Sequence, residues 1–559
     1  MSHQQIITIY CENTQIEKDY PFGTTLQDIV DDQHIELDFP ILGAMVNNTL
    51  KELDYLIYKP KTVRFIDYRH PEGMRMYQRA LSMVLFKAAT DLFPDRKLTI
   101  QHAVSNGWYC ELGTFEDDDE HSETVDRLLK RMKQIIDWDI PFEREEIRTE
   151  YALKVFEDSG LEDKCILMKT RKQFYSSVYR FDDVVNYFYG YLLPSSAYLK
   201  TFNLIKYYEG MLLVAPERKE PDRLPEIPIQ NKLFEIFREF KEWVNIIGVP
   251  NVGKLNLASK NGKIGDIIKI SEALQEKKLA CVAEMINRRK ENLKVVLISG
   301  PSSSGKTTFA KRLSIQLSVI GFQPIILSMD NYFVDREHTP LDEKGNYDFE
   351  SPQALDIELF NQNMLDLFDG NEIDLPKFSF SDGQRSYDGT KLELAKNSII
   401  LVEGIHALNP IISEMIPAKR KFKVYVSALT PLSIDSNNRI PTSDNRLIRR
   451  MVRDSLYRSY TALDTLKRWP SVRKGEELHI FPYQEEADVM FNTALLFELG
   501  VLKPWVEPLL KEVPPIVEEY SEARRLIKFL SYISPIAEKE IPPTSILREF
   551  LDGSSFDYS

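Results

Sequence analysis

The sequence predicts a multidomain chain of α/β and α+β units, closing in an α/β unit built on a parallel sheet. Three observations carry this. At 559 residues the chain exceeds what one hydrophobic core supports, and at roughly 150 residues per domain it divides into three or four units. Residues 5–66 alternate β-branched runs with turn signals, as a small β-rich unit does. From residue 293 onward strand and helix signals alternate, as a parallel sheet with crossover helices requires.

Each unit can be followed along the chain. Ile6–Tyr10 is a β-branched run, and Pro21, Gly23 and Thr24 form a turn from which Thr24 or Thr25 caps a short helix through Val30. Ile41–Val46 reads as a strand running into an Asn47–Asn48 turn, and Thr62–Ile66 as a closing strand. Met76–Phe93 and Ser122–Trp138 place apolar residues at helical spacing. Acidic residues 116–120 between them read as a solvated loop. Pro216–Pro228, rich in Pro and charge, reads as a linker, and 229–290 as mostly helical. The strands expected in the last unit are Lys294–Ser299, Gln323–Ser328, Ser398–Glu403, Phe422–Ser427 and Ala487–Phe491. Beyond residue 501 come Pro-rich patches and one helix, Tyr520–Tyr532.

Composition narrows the function classes. A net charge of −14 opposes general nucleic-acid binding, which rests on clustered Lys and Arg. The four cysteines (Cys11, Cys110, Cys165 and Cys281) form no CxxC pair, which argues against a zinc ribbon or a disulfide scaffold. The absence of a signal-like start and of a long apolar span leads to the expectation of a cytoplasmic protein.

The chemistry centres on Gly300-x4-Gly305-Lys306-Thr307, set between an apolar strand and an apolar-periodic helix. Backbone N–H groups of Gly300, Ser302, Ser303, Ser304, Gly305, Lys306, Thr307 and Thr308 can turn inward on phosphate oxygens at a helix N-terminus. Lys306 suits the β- and γ-phosphates of ATP, and the Thr307 hydroxyl suits Mg²⁺. A second match, Gly248-x4-Gly253-Lys254, has Leu255 where a hydroxyl is needed and follows a helix-like run. It is expected to be a Gly-rich turn, with the polar stretch 256–262 as a loop. Asp330 closes the second strand at the edge where such sheets bind ligands, placed to take a proton from an attacking hydroxyl. Glu403 closes the apolar strand 398–403 and suits a second group at the metal. Arg446, Arg449 or Arg450, and Arg453 share a helix face that could close over ATP as a lid.

Taken in order, these residues resemble the uridine kinase branch of the phosphoribulokinase/uridine kinase family over about residues 293–495. The resemblance implies a catalytic Asp330 followed by the aromatic Tyr332. It implies a ribose-holding segment at 348–352, with Glu350 where the family usually has Asp, a Glu403–Gly404 metal corner and an arginine lid at 446–453. One departure stands out. After Pro376 the nucleoside kinases carry a Tyr and then a His that read the pyrimidine. Here Phe378 keeps the ring without its hydroxyl and Gly383 replaces the His, leaving Asp382, Gln384 or Arg385 to supply other contacts. A site built around one base discriminates strongly, so this change puts uridine specificity in question.

The front of the chain resembles threonyl-tRNA synthetase. Residues 1–66 look like its β-grasp-like TGS domain, through Pro21, Gly23, Thr24, Thr25, Leu26, Val46, Asn47 and Asn48. Residues 67–225 look like its editing domain, through Pro71–Tyr77 and Asn106–Tyr109. That domain's metal and catalytic positions hold Arg79, Met83, Phe188 and Leu192 here, from which no water-activating cluster can be built. The expected layout is completed by a helical linker region at 226–290, a kinase domain at 291–500 and a tail at 501–559.

The reading that follows is an ATP- and Mg²⁺-dependent nucleoside kinase acting on a ribose 5′-hydroxyl. Lys306, Asp330, Arg446 and Arg453 are the catalytic candidates, Thr307 and Glu403 the metal ligands, and Asp330, Tyr332, Glu350, Phe378 and Arg385 the substrate contacts. Two alternatives stay open: a different small hydroxyl acceptor, and an ATP-dependent RNA- or ribosome-associated regulator whose front end binds RNA or another ligand. A homo-oligomer is compatible with either.

Overall fold

The structure, a computed structural model, describes residues 5–171, 173–343, 345–379 and 382–558. Its first unit is a five-stranded sheet built from β1 (Ile6–Cys11), β2 (Ile16–Pro21), β3 (Gly43–Val46), β4 (Thr49–Lys51) and β5 (Lys61–Ile66), ordered β2-β1-β5-β3-β4. β1 runs parallel to β5. Helix α1 (Leu26–Gln33) starts at a capping box in which Thr25 and Asp28 satisfy each other's backbone N–H. Asn47 and Asn48 both take left-handed φ, 45° and 57°, which turns β3 into β4.

Helix α2 (Pro71–Leu92) and α3 (Asp118–Asp137) pack on an antiparallel sheet of β6 (Leu98–Val104), β7 (Gly107–Leu112), β11 (Asn203–Tyr207) and β12 (Gly210–Val214). A smaller sheet holds β8 (Glu143–Arg148), β9 (Tyr175–Phe181) and β10 (Val184–Asn186), beside α4 (Thr149–Asp158) and α5 (Glu162–Thr170). The acidic run is not a loop. Asp117 caps α3 and residues 118–120 form its first turn, where carboxylates complement the helix N-terminus.

Residues 231–287 are helical as expected: α6 (Asn231–Ile247), α7 (Val252–Lys260) and α8 (Ile264–Asn287). The Gly248–Lys254 segment corrects the loop reading. Gly248 is the left-handed C-cap of α6, and Asn251 caps α7, which spans most of the stretch read as a polar loop. Gly253 lies inside α7 because a Cβ there would come 2.9 Å from the Leu167 backbone. Its glycine serves helix packing, and no phosphate cradle forms.

The last α/β unit has five parallel strands, β13 (Val295–Ser299), β14 (Gln323–Ser328), β17 (Ser398–Glu403), β18 (Lys421–Ser427) and β21 (Val489–Asn492), ordered β14-β17-β13-β18-β21. All five were expected, within two residues at each end. β13 and β17 are buried along their whole length, as central parallel strands are. Helix α9 (Lys306–Val319) follows β13, and α10 (Ile357–Phe368) precedes the antiparallel hairpin β15 (Ile373–Ser379) and β16 (Gln384–Leu392). A second, short hairpin, β19 (Ser433–Asp435) and β20 (Asn438–Arg439), leads into α11 (Thr442–Tyr457) and α12 (Ala462–His479). Helix α13 (Glu498–Lys511) crosses the expected boundary at 500 and continues through Pro504 and Pro508. Helix α14 (Tyr520–Leu530) follows.

The front and back halves are joined by buried polar contacts. Lys164 and Asp435, both without solvent exposure, pair at 2.7 Å, and Asn438 Nδ2 donates to Tyr187 O at 2.9 Å.

Candidate active site

The apolar strand β13 ends at Ser299 and delivers the chain into the phosphate-type loop. Gly300 passes under β18 so closely that a Cβ would meet Val426 O at 1.9 Å. Ser303 and Gly305 take left-handed φ, 58° and 84°, curling the loop onto the α9 N-terminus. There the first-turn N–H groups have no intrahelical acceptor. The hydroxyls of Ser303 and Ser304 are buried without a hydrogen-bond partner. Lys306 is buried and its ammonium donates to Pro301 O at 3.1 Å. Burial lowers its pKa, while Glu403, Glu549 and Asp330 oppose that shift. Orphan donors, a helix N-terminus and a desolvated ammonium together form an anion cradle.

Sheet register places the carboxylates. Ser328 of β14 lies opposite Glu403 of β17, and its hydroxyl donates to Glu403 Oε1 at 3.0 Å. Asp330 sits two residues on, in the 3₁₀ turn 329–332. Gly404 is required for this approach, since a Cβ would fall 2.6 Å from Met329 Cβ. Burial pushes both carboxyl groups above their ordinary range. The charge of Asp330 adds to the rise at Glu403, and Lys306 counters it at both. Among the described residues no cluster of three or more His, Cys, Asp or Glu side chains could by itself enclose a metal. Asp330 and Glu403, together with the hydroxyl of Thr307 in the first turn of α9, suit the way Mg²⁺ is held, by few protein ligands together with substrate phosphates.

The arginines divide differently from the single face expected. Arg446 and Arg449 are buried and tied inward by short ion pairs, Arg446 to Glu476 of α12 and Arg449 to Glu498 of α13. Arg446 also donates to Ser302 O at 3.1 Å, and Glu476 accepts from Ser302 N at 3.1 Å. Arg446 therefore braces the loop at Ser302 and is held inward by Glu476, which differs from the lid position expected for it. Arg450 reaches Ser302 Oγ at 2.9 Å. Arg453 pairs with Asp454 at 2.8 Å, close enough to the crevice for its charge to act on Asp330 and Lys306. Asp454 also faces Arg450 and Arg458, at 3.2 and 3.7 Å, so one buried carboxylate organises three guanidiniums.

The expected substrate contacts fare unevenly. Glu350 faces the crevice beside Arg450, and a Cβ on Gly475 would strike its Cβ at 2.4 Å. Burial raises its pKa to about 7, and Arg450 opposes the rise. Tyr332 is fully buried, stacks edge-on against Phe360 and accepts a hydrogen bond from Asn363 at 3.2 Å. Phe378 is buried against Phe333, ring centroids 5.5 Å apart. Arg385 pairs with Asp356, the α10 N-cap, at 2.8 Å. These three hold the β15–β16 hairpin and α10 in place. Phe380 and Ser381, in the same segment, lie outside the described residues.

Thr308 brings a residue that sequence reasoning missed. Its N–H and hydroxyl both donate to Glu549 Oε2, at 3.0 and 2.7 Å, and Tyr558 OH lies 2.8 Å from the same hydroxyl. Ile546 packs against Gly305. The end of the chain thus places a carboxylate on the N-terminus of α9, and a phosphate at the Thr308 N–H has to displace it.

Sequence comparison agrees with this geometry. Residues 295–495 match the Phosphoribulokinase / Uridine kinase family. The C-terminal part of the chain contains a domain of that family. Uridine kinases of Staphylococcus aureus strains JH9 and Newman are each 27% identical to the chain over 198 residues, 35% of this chain and 86% of theirs. The solved structure of a possible uridine kinase from Bacillus stearothermophilus is 20% identical, with a TM-score of 0.27, covering 39% of this chain and 98% of that one. Within the kinase-family domain the matched span runs from the start of β13 to just past β21. It thus takes in the loop, Asp330, Glu350, Glu403 and the arginine helix.

Proposed function

We propose that this chain is an ATP-dependent nucleoside kinase that transfers the γ-phosphate to a ribose 5′-hydroxyl. The observation that carries the reading is the convergence of Lys306, Asp330 and Glu403 at the C-terminal ends of β13, β14 and β17, the ligand crevice of an open parallel sheet. The loop N–H groups and Lys306 bind and orient the triphosphate. Asp330 accepts the proton of the attacking hydroxyl, and Glu350 holds the ribose. Arg453, held by Asp454, offsets charge that builds on the transferred group. Thr307 and Glu403 are the residues that would hold Mg²⁺, which supplies charge neutralisation between the phosphates.

One observation favours a second reading, a different small hydroxyl acceptor. Phe378 and Arg385 occupy the segment aligned with the pyrimidine readers, yet one is packed on Phe333 and the other is paired with Asp356.

The front half is proposed to be TGS-like over 1–66 and editing-like over 67–225, kept for binding or regulation in the reducing cytoplasm. The mixed β2-β1-β5-β3-β4 sheet supports the first assignment. For the second, Met83, Phe188 and Leu192 are buried in an apolar core, which supports the loss of editing chemistry. The remaining proposed boundaries are a helical region at 226–290, the kinase domain at 291–500 and a tail at 501–559. ATP consumption by the purified chain against a nucleoside panel tests the central reading. Turnover with a nucleoside, abolished by Asp330→Asn, is expected; turnover only with other alcohols would move the second reading forward.

A further inference from the structure

A cavity of about 230 Å³ lies where α2 meets the entry to α11, away from the sheet crevice. Gln78 and Arg79 of α2, Trp108 of β7, Tyr189, Asn437 and Arg439 line it. Its charge is unbalanced. Arg75 and Arg525 also line it, but their charges are met: Arg75 pairs with Glu72 and Glu522 at 2.8 and 2.9 Å, and Arg525 pairs with Asp444 and Glu522, each at 2.6 Å. Arg79 and Arg439 differ. Among the described residues neither has a carboxylate at ion-pair distance. Among the described residues Arg79 donates to Tyr191 O alone, at 3.2 Å, and its guanidinium lies over the Tyr189 ring at 5.1 Å. Gly190 permits this, since a Cβ there would fall 2.2 Å from the guanidinium carbon. Arg439 lies over the Trp108 ring at 5.5 Å, and burial depresses its pKa against the opposing charge of Asp444, a carboxylate already paired with Arg525. Asn437, only 5% exposed, has its Nδ2 without a hydrogen-bond partner.

Two guanidiniums held by aromatic rings and one orphan amide donor make a site rich in donors and short of negative charge. Such a set recognises carboxylate or phosphate. The volume falls below the ~300–1,000 Å³ of pockets for drug-sized ligands, which points to a metabolite of amino-acid or sugar-phosphate size. The cavity also abuts the kinase-family machinery. Ser443 and Asp444 of its wall sit in the first turn of α11. Arg450, seven residues beyond Ser443 and so roughly 10 Å along the helix, bonds Ser302 of the phosphate loop.

We propose that this cavity, with Arg79, Arg439 and Asn437 as its donors, binds a small carboxylate- or phosphate-bearing metabolite and communicates with the phosphate loop through α11. The proposal concerns binding and stands whichever acceptor the kinase-family domain uses.

Calorimetry on the full chain tests it. The Lys306→Ala background weakens the loop as a competing phosphate site. Inorganic phosphate and glycerol 3-phosphate form one arm, succinate and L-glutamate the other, so the arms separate the two chemistries. Saturable binding in at least one arm is expected, weakened at least about tenfold by Arg439→Gln and by Arg79→Gln, since a charged hydrogen-bonded pair supplies at least ~1.4 kcal/mol. Gln78→Glu, a half-exposed helix position, puts a carboxylate in the cavity and should abolish binding without threatening the fold. The idea fails if no probe binds saturably at millimolar concentration, or if binding survives both Arg439→Gln and Gln78→Glu. With Lys306 intact, a saturating probe should shift ATP affinity about fivefold or more; unchanged affinity overturns the coupling.

Discussion

Replacing Glu549 by Gln should tighten ATP binding. In the structure the Glu549 carboxylate, half-buried, takes both donors of Thr308 at the N-terminus of the phosphate-loop helix. It occupies the electrostatic position that a nucleotide phosphate would use. A carboxylate there gains ~0.3–2 kcal/mol from the helix terminus, and charged hydrogen bonds are roughly twice as strong as neutral ones. Gln keeps an acceptor but loses the charge, so the displacement that ATP must perform becomes easier by about 1–2 kcal/mol, or roughly 5–30-fold in Kd. Glu549 also lends negative charge to the surroundings of Lys306 and Glu403, and its loss leaves Lys306 freer to attract phosphate. Titration with a fluorescent ATP analogue, on wild type and Glu549→Gln of equal thermal stability, measures the change. Unchanged or weaker ATP binding in the variant would refute the view that the tail carboxylate and the nucleotide compete for Thr308.

Other consequences follow from the same geometry. Glu350 has its pKa raised by burial from 4.5 to about 7, so its contribution to stability is full below about pH 4.5 and fades as pH rises through about 7. Thermal melts between pH 5 and 8 should show wild type losing more stability than Glu350→Gln; parallel curves would contradict that burial. Arg446→Met removes the fully buried partner of Glu476 and leaves that carboxylate to the partly exposed Arg473 at 3.1 Å, so the cost should fall below the about 3–5 kcal/mol of a fully broken buried pair, read as a lower urea midpoint, and adding Arg473→Met should bring the loss up to that range. Lys164→Met should loosen the β19–β20 hairpin from the front half, seen as faster amide exchange at Ser436–Asn438 with the parallel sheet still protected.

The sequence revealed whatever depends on neighbours along the chain. The five parallel strands were legible because each is an apolar run ended by a Ser, Glu or Asn, and the loop because glycine spacing, strand and helix occur together. Asp330 and Glu403 could be placed because strand ends in such sheets share an edge. Contacts between distant segments were not legible. Helical phase put the arginines on one face, but the acids that turn Arg446 and Arg449 inward, Glu476 and Glu498, lie on other helices. Tyr332 and Phe378 looked like ligand contacts by alignment, and packing against Phe360 and Phe333 gave them other work. Residues 256–262 are polar enough to read as a loop, yet the Asn251 cap and the approach of Gly253 to Leu167 start a helix that carries through Lys260. Glu549 offered no local signal, being one acid in a Pro-containing tail 241 residues from Thr308.

The most direct test of the central claim is single-turnover transfer from γ-labelled ATP to a panel of nucleosides, with wild type and Asp330→Asn side by side. The account predicts labelled nucleoside 5′-phosphate with wild type and a rate about 10²–10⁴-fold lower in the variant, with ATP affinity retained. Equal rates in the two proteins, or ATP binding with no transfer to any nucleoside, would contradict it.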